Sequence, residues 1–150
     1  MKRYILLLVI QVLMFGGCFC YKRERIEPPY PQNVSGWKYH EENGVGTVGD
    51  FVLKKGESTN NGEVEIKVVD LIPADLCAEA QTPSASDRVK LQFVRMSDKK
   101  VLCEDRFTEH GGGYICEMAL DEFRIGTIGI REINIKDQWV HFFLVGDKKE

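Results

Sequence analysis

The sequence predicts an all-β domain, built as a single antiparallel β-sandwich over residues 47–150 of the 150-residue chain. Short runs in which apolar and polar residues alternate are typical of half-buried strands. Turns rich in Gly, Asn and Asp separate these runs, as they do in antiparallel sheets. No stretch of this region shows a sustained period of 3.6 residues, which argues against a helical domain. A small closed β-barrel is the alternative architecture.

Seven strands are predicted, and their patterns differ. In the second run, Val64, Ile66 and Val68 share one face and charged residues share the other. The last run is apolar on both faces, so we expect it to be central in its sheet. Gly126 and Gly129 inside the sixth run indicate a bulge or a bend. The predicted strands are Val48–Leu53, Glu63–Leu71, Arg88–Met96, Val101–Phe107, Tyr114–Leu120, Arg124–Ile135 and Trp139–Val145.

Seven strands in about 100 residues suit an immunoglobulin-like arrangement of two sheets. The Cys–Trp–Cys spacing of true immunoglobulin domains is absent, so the prediction covers the architecture and not that family. The best helix candidate is Pro73–Ala80, which has a proline in its first turn but is short.

Cys103 and Cys116 are predicted to form a disulfide, and the prediction depends on a hairpin. If the turn is centred between Glu109 and His110, antiparallel pairing places Cys103 directly opposite Cys116 on the same face. The bond would stabilise the domain by roughly 3 kcal/mol. A shifted turn would instead let Cys77, the third cysteine of the domain, pair with one of them, and the absence of any disulfide is the remaining alternative.

The first residues have the pattern of an export signal. Lys2 and Arg3 precede the apolar run Tyr4–Phe15, and two glycines and Cys18 follow it. The run is shorter than the roughly 20 residues that span a bilayer.

The stretch Met14-Phe15-Gly16-Gly17-Cys18 resembles the lipobox of bacterial lipoproteins, with Phe15 where Leu is commoner. The resemblance covers residues 1–18 and implies cleavage after Gly17 and lipidation at Cys18. More than one acyl chain on that residue would make membrane anchoring stable. Phe19 stands where an Asp would imply retention at the inner membrane. The resemblance therefore implies the outer membrane, facing the periplasm or the cell surface.

The expected organisation is a signal peptide over residues 1–17, a lipid-anchored tether over 18–46 and the domain over 47–150. The tether holds three of the five prolines within four positions, which is typical of an extended spacer. Two alternatives remain for the signal. Cleavage after Cys20 would give a secreted protein, and no cleavage would give an anchor with positive charge on both sides.

Three motifs with catalytic associations have simpler explanations. His110-Gly111-Gly112-Gly113 matches the oxyanion-hole string of some esterases, but without a GxSxG elbow it predicts a turn. His40-Glu41-Glu42 begins like a zinc-protease motif but lacks the second histidine. Cys77 needs a neighbouring base that the sequence does not assign. No catalytic, cofactor-binding or metal-binding residues are therefore predicted.

Loop carboxylates offer one alternative function. Clustered carboxylates at strand ends bind calcium in some β-sandwiches. Residues 62–76 and 86–93 weakly resemble the first strands of C2 domains, which implies a C2-like sandwich that binds partners with calcium. Turn formation is the simpler role for these aspartates. They are Asp70, Asp75, Asp87 and Asp98.

Composition indicates a globular protein, and net charge argues against one class of partner. The chain is 43% hydrophobic and 29% charged, which is ordinary for a globular protein. Residues 47–150 carry 14 basic and 19 acidic residues, a balance that disfavours nucleic acid as a partner.

The predicted function is a cell-envelope lipoprotein with a non-catalytic binding or structural domain. Its expected partners are a membrane, through the lipid, and an unidentified envelope component. An enzyme, or an accessory subunit of one, is the alternative.

Overall fold

Two antiparallel sheets packed face to face make up the fold. The computed structural model describes residues 34–74 and 86–150. Within these residues the chain forms nine strands, one short helix and one 3-10 turn at Asp121–Phe123. In chain order the elements are β1 His40–Glu42, β2 Val45–Lys54, β3 Ser58–Asn60, β4 Val64–Ile72, β5 Arg88–Arg95, β6 Val101–Thr108, β7 Gly111–Gly112, α1 Tyr114–Leu120, β8 Ile125–Asn134 and β9 Trp139–Gly146.

The first two and the last two strands form one sheet, and the five strands between them form the other. The first sheet has the strand order β1-β2-β9-β8, and the second is the meander β3-β4-β5-β6-β7. All strand pairs are antiparallel. No described strand joins one sheet to the other, so the sandwich is confirmed and the closed barrel is not formed.

The core lies between the inner faces of the two sheets, as the alternating pattern predicts. Val64, Ile66 and Val68 of β4 are fully buried. On the first sheet, Phe142 and Leu144 of β9 point inward and are equally buried. Because every second residue of a strand faces the core, the hydrophobic effect fixes which face of each sheet is inside.

The long strand β9 is central, as its two apolar faces predict. It pairs with β2 on one side and with β8 on the other. The register of β8 shifts between Ile125 and Thr127, so Gly126 is the extra residue of a bulge. Gly129 has another reason to be glycine. It lies opposite Phe143, and a β-carbon there would meet the Phe143 ring at 2.2 Å.

The predicted strand over Tyr114–Leu120 is wrong, because these residues form the helix α1. The predicted turn itself is correct, since Thr108 pairs with Gly111 and Phe107 with Gly112. The returning strand then ends after two residues. Gly111, Gly112 and Gly113 all have positive φ. Glycine adopts this backbone conformation with little steric cost, and it is here that the strand pairing ends.

The folded unit begins before residue 47, inside the segment expected to be tether. Gly36 forms a β-bridge with Asp50, and β1 pairs with the start of β2. The Trp37 ring packs edge-on against Phe51, with 4.8 Å between ring centroids. Its indole N–H donates to Thr59 Oγ1 at 2.9 Å. Aromatic packing explains why the residues around Trp37 belong to the domain.

Several predictions lie outside the described residues. They concern the signal peptide, the lipidation at Cys18, Cys77 and all but the start of Pro73–Ala80. None of the helices that the structure describes is long and apolar enough to cross a membrane.

Candidate functional site

The helix α1 is fastened to both sheets. Cys116 lies at disulfide distance from Cys103 of β6, with 5.3 Å between their Cα atoms. Leu120, one turn after Cys116, is fully buried in the core. The helix contacts β6 of the second sheet and β8 of the first. It therefore closes one side of the sandwich.

The residues of the predicted disulfide are thus neighbours, although the geometry differs from the expected hairpin. Cys103 faces Phe93 across β5 and β6, and Cys116 reaches it from the helix. Residues four apart lie on one helix face. That spacing puts Cys116 and Leu120 together on the buried face of α1.

The opposite face of α1 presents large apolar side chains to solvent. Tyr114, Ile115 and Met118 are 76%, 68% and 75% exposed. Single exposed apolar residues are common on protein surfaces, but adjacent ones on one element mark interaction sites. These three residues together with Glu117, Asp121 and Gly126 are called the α1 surface below.

A shallow depression of about 470 Å³ lies within the α1 surface. It is lined by Tyr114, Glu117, Met118, Asp121 and Gly126. Two of these residues supply carboxylates, and the lining contains no basic side chain. The bulge at Gly126 brings bare backbone to the depression, because glycine has no side chain to fill it.

Carboxylates from this region also cover the edge of the first sheet. Glu117 Oε1 accepts a hydrogen bond from the backbone N–H of Ile128 at 3.2 Å. Glu109 Oε1 accepts one from the N–H of Ile133 at 3.1 Å. Exposed edge strands are prone to pair with other chains, so covering their N–H groups protects β8. The same helix thus supports the fold and displays the α1 surface.

A second candidate is a groove at the loops near the carboxyl terminus. It is lined in part by Trp37, Phe123 and Arg124. Both arginines of the groove already have partners within the domain. Arg95 bonds Glu122 at 3.0 Å. Arg124 donates to the Lys148 carbonyl oxygen at 3.1 Å.

The groove also contains Tyr39, whose ring lies over Gly46. Partial burial and the nearby Glu41 carboxylate raise the pKa of the Tyr39 phenol. The phenol donates a hydrogen bond to Glu41 Oε2 at 3.2 Å. Because several of its charged groups are already paired with one another, the groove offers less to an incoming ligand than the α1 surface does.

A third candidate is a polar cluster on the outer face of the first sheet. His141 Nε2 lies 2.7 Å from Asp50 Oδ1. The Arg131 guanidinium lies 4.4 Å from the centroid of the Phe143 ring, and its Nε is 3.9 Å from the same Asp50 oxygen. The strand neighbours of His141 are Val52 and Glu132. Neither supplies the hydroxyl or thiol that a nucleophilic site on this pair would need.

Two histidines of the catalytic motifs considered above lie in the described part of the chain. His110 lies in the β6–β7 turn, where its N–H donates to Thr108 Oγ1. His40 is exposed on β1. Among the described residues, no three His, Cys, Asp or Glu side chains converge as metal ligands would.

The described aspartates of the calcium hypothesis have local roles. Asp70 forms an ion pair with Lys55 at 2.6 Å. The hydrogen bond from Lys55 holds the pKa of Asp70 below its usual value. Asp87 Oδ1 accepts from the Ala74 N–H, and Asp98 Oδ1 from the Lys100 N–H. Turn formation and surface pairing account for these contacts.

The α1 surface was not predicted from the sequence. In a strand over Tyr114–Leu120, the side chains of Tyr114, Cys116 and Met118 would share one face. In the helix, only Cys116 of these three residues is buried. A usable signal was present. Glu, Met, Ala and Leu in succession are strong helix formers, and Cys116 and Leu120 have the spacing of a helical face.

Comparisons with known proteins identify no relative: no family model, curated protein or solved structure matches the chain. A fold would not in any case determine an activity. The function must be argued from the exposed chemistry of the domain.

Proposed function

We propose that this chain is a cell-envelope lipoprotein whose β-sandwich binds another envelope protein through the α1 surface. The main support for this proposal is the exposure of three apolar side chains on one helix. Each of Tyr114, Ile115 and Met118 is more than two-thirds exposed. Such side chains lower the free energy of a complex when a partner removes them from water. Tyr and Met are also enriched at protein interfaces.

The anchoring part of the proposal comes from the sequence. Residues 1–17 are the signal peptide, and Cys18 carries the lipid. The chain between Cys18 and Gly36 links that lipid to the domain, which begins at the Gly36–Asp50 bridge. Two or more acyl chains give stable membrane attachment. The absence of Asp after Cys18 favours the outer membrane.

A binding role fits the domain better than catalysis. The Asp50–His141 pair has no nucleophile among its described strand neighbours. The α1 surface, by contrast, presents apolar side chains with no described cover. A surface that is rigid before binding loses little conformational entropy when the partner docks, and the link between Cys116 and Cys103 supplies that rigidity.

Site-specific photo-cross-linking in intact cells tests this function. A benzoylphenylalanine placed at Ile115 should give a discrete adduct with one envelope protein. The matched control is Lys67, an exposed residue of β4 on the outer face of the second sheet. It should give no such adduct. Equal adducts at both positions, or none at either, would contradict the proposed binding surface.

A further inference from the structure

We propose that the α1 surface recognises a basic segment of its protein partner and seats one Lys or Arg side chain in the depression beside Gly126. This inference rests on the proposed function and adds the chemistry of the partner. The depression combines three properties that suit a long cationic side chain. They are apolar walls from Tyr114 and Met118, two carboxylates, and bare backbone at Gly126 in the lining.

The walls suit the hydrocarbon part of Lys or Arg. Both residues have three or four methylene groups below the charge, and these pack along apolar surface while the head stays polar. Met118 offers a flexible thioether that adapts to such a stem. Tyr114 offers an aromatic face, over which a cation is attracted. Both side chains are about three-quarters exposed and therefore accessible.

The carboxylates provide the complementary charge. Asp121 makes no ion pair with any described residue, although it is exposed beside the helix. Glu117 uses Oε1 for the Ile128 N–H, which leaves Oε2 for a second donor. Hydrogen bonds between a cationic donor and a carboxylate are stronger than neutral ones. A guanidinium or ammonium group is the donor that this pair of acids would select.

The same charges disfavour other occupants. A second copy of this chain, docked through the same surface, would place the Asp121 and Glu117 carboxylates of both copies in one interface whose depression offers no basic side chain. Like charges placed opposite one another across an interface oppose association. An anionic lipid surface would be repelled by the same carboxylates. A basic protein segment is the occupant for which the apolar and charged parts act in the same direction.

A nuclear magnetic resonance titration of the processed, lipidated protein in neutral detergent micelles tests the inference. The probe is Nα-acetyl-arginine amide, and the matched ligand is Nα-acetyl-citrulline amide, which has a similar shape and no charge. The arginine probe should shift the backbone amide signals of Tyr114–Leu120 and Gly126. The citrulline probe should bind roughly tenfold more weakly, a loss of about 1.4 kcal/mol.

Variants separate the charge effect from a folding effect. Asp121→Asn should weaken the arginine probe several-fold and leave the remaining spectrum unchanged. The control Asp147→Asn alters another exposed aspartate, outside the α1 surface, and should bind the probe as the unmodified protein does. Equal binding of both probes, or shifts confined to another region, would overturn the inference.

Other outcomes identify the competing occupants. Shifts of the α1 signals on added anionic vesicles without the arginine probe would show a lipid surface instead. Shifts that depend on protein concentration alone would show self-association. Either result would overturn the basic-segment proposal.

If the adduct at Ile115 forms but the arginine probe fails, the partner chemistry is wrong and the binding function stands. If the adduct is absent, the function itself fails.

Discussion

Glu117 of α1 accepts a hydrogen bond from the backbone N–H of Ile128, the two atoms lying 3.2 Å apart. The contact joins the helix to the edge strand of the first sheet. The link from Cys116 to Cys103 joins the same helix to the second sheet. Cys116 and Glu117 of a seven-residue helix therefore make structural contacts, while the exposed side chains of Tyr114, Ile115 and Met118 are available for binding.

The first prediction concerns this link. The double variant Cys103→Ser, Cys116→Ser should lower the free energy of unfolding by roughly 3 kcal/mol, because the unfolded chain regains the freedom of an open loop. Chemical denaturation in non-reducing buffer measures the change, with Cys77→Ser as the control. Peptide mapping of the unmodified protein should find the Cys103 and Cys116 peptides joined. A joined peptide that contains Cys77 would refute the assignment.

Two glycines of β8 give a matched pair of variants. In Gly129→Ala the new β-carbon would lie 2.2 Å from the Phe143 ring, which must move and leave its place below Arg131. The ring lies on the half-buried outer face of the sheet and can turn toward solvent, so we expect a loss of about 0.5–1 kcal/mol in the free energy of unfolding, the worth of its contact with Arg131. In Gly126→Ala the nearest atom is 4.0 Å away, so stability should change little. Similar losses in both variants would show that the packing on Phe143 is described wrongly.

Acid should weaken the domain through two surface ion pairs. Hydrogen bonds from Lys55 and Lys90 hold the pKa values of Asp70 and Glu104 below their usual values. The unfolded chain therefore binds more protons near those usual values, and stability falls as the pH drops through them toward the lower folded values. This contribution is fully present above the ordinary carboxyl pKa range.

Denaturation curves collected between neutral pH and about pH 3 measure the effect, which spans the usual carboxyl range. The double variant Asp70→Asn, Glu104→Gln should show a shallower fall in stability with acid than the unmodified protein. High salt should shrink the difference, since both pairs are partly exposed. Curves of identical slope would contradict the assigned pKa shifts.

Lipidation is the fourth prediction. Cys18→Ser removes the thiol that the lipobox presents, so the protein should leave the membrane fraction or remain unprocessed. Cell fractionation and mass spectrometry of the amino terminus measure both results. Cys20→Ser serves as the matched control and should stay membrane-bound. A Cys18→Ser protein that is processed and still enters the detergent phase would exclude the lipid anchor.

The sandwich could be predicted because the alternation of side chains in β4 and β5 is a direct consequence of strand geometry. Val64, Val89 and Leu91 are all fully buried, as the pattern requires. The central position of β9 could be predicted because both of its faces are apolar.

The short strands β1, β3 and β7 have two or three residues each. Such strands are too brief to show a period, and the tertiary context decides their pairing.

The helix α1 escaped prediction because a seven-residue segment gives only two turns of evidence. Tyr114, Ile115 and Cys116 also have moderate β propensity, which supported the strand interpretation. The candidate site depends on that helix. A strand would have hidden the contrast between Cys116, which is buried, and Met118, which is exposed. Side-chain exposure on a short element is set by packing that the sequence does not display.

Oxidative footprinting of Met118 tests whether a partner covers the α1 surface in the envelope. Met118 is 75% exposed in the isolated domain, so dilute peroxide should convert it readily to the sulfoxide. In intact envelopes a bound partner should slow this oxidation several-fold, while Met96, in the β5–β6 turn, reacts at the same rate in both samples. Equal rates for Met118 in the purified protein and in the envelope would contradict the proposed binding role of the α1 surface.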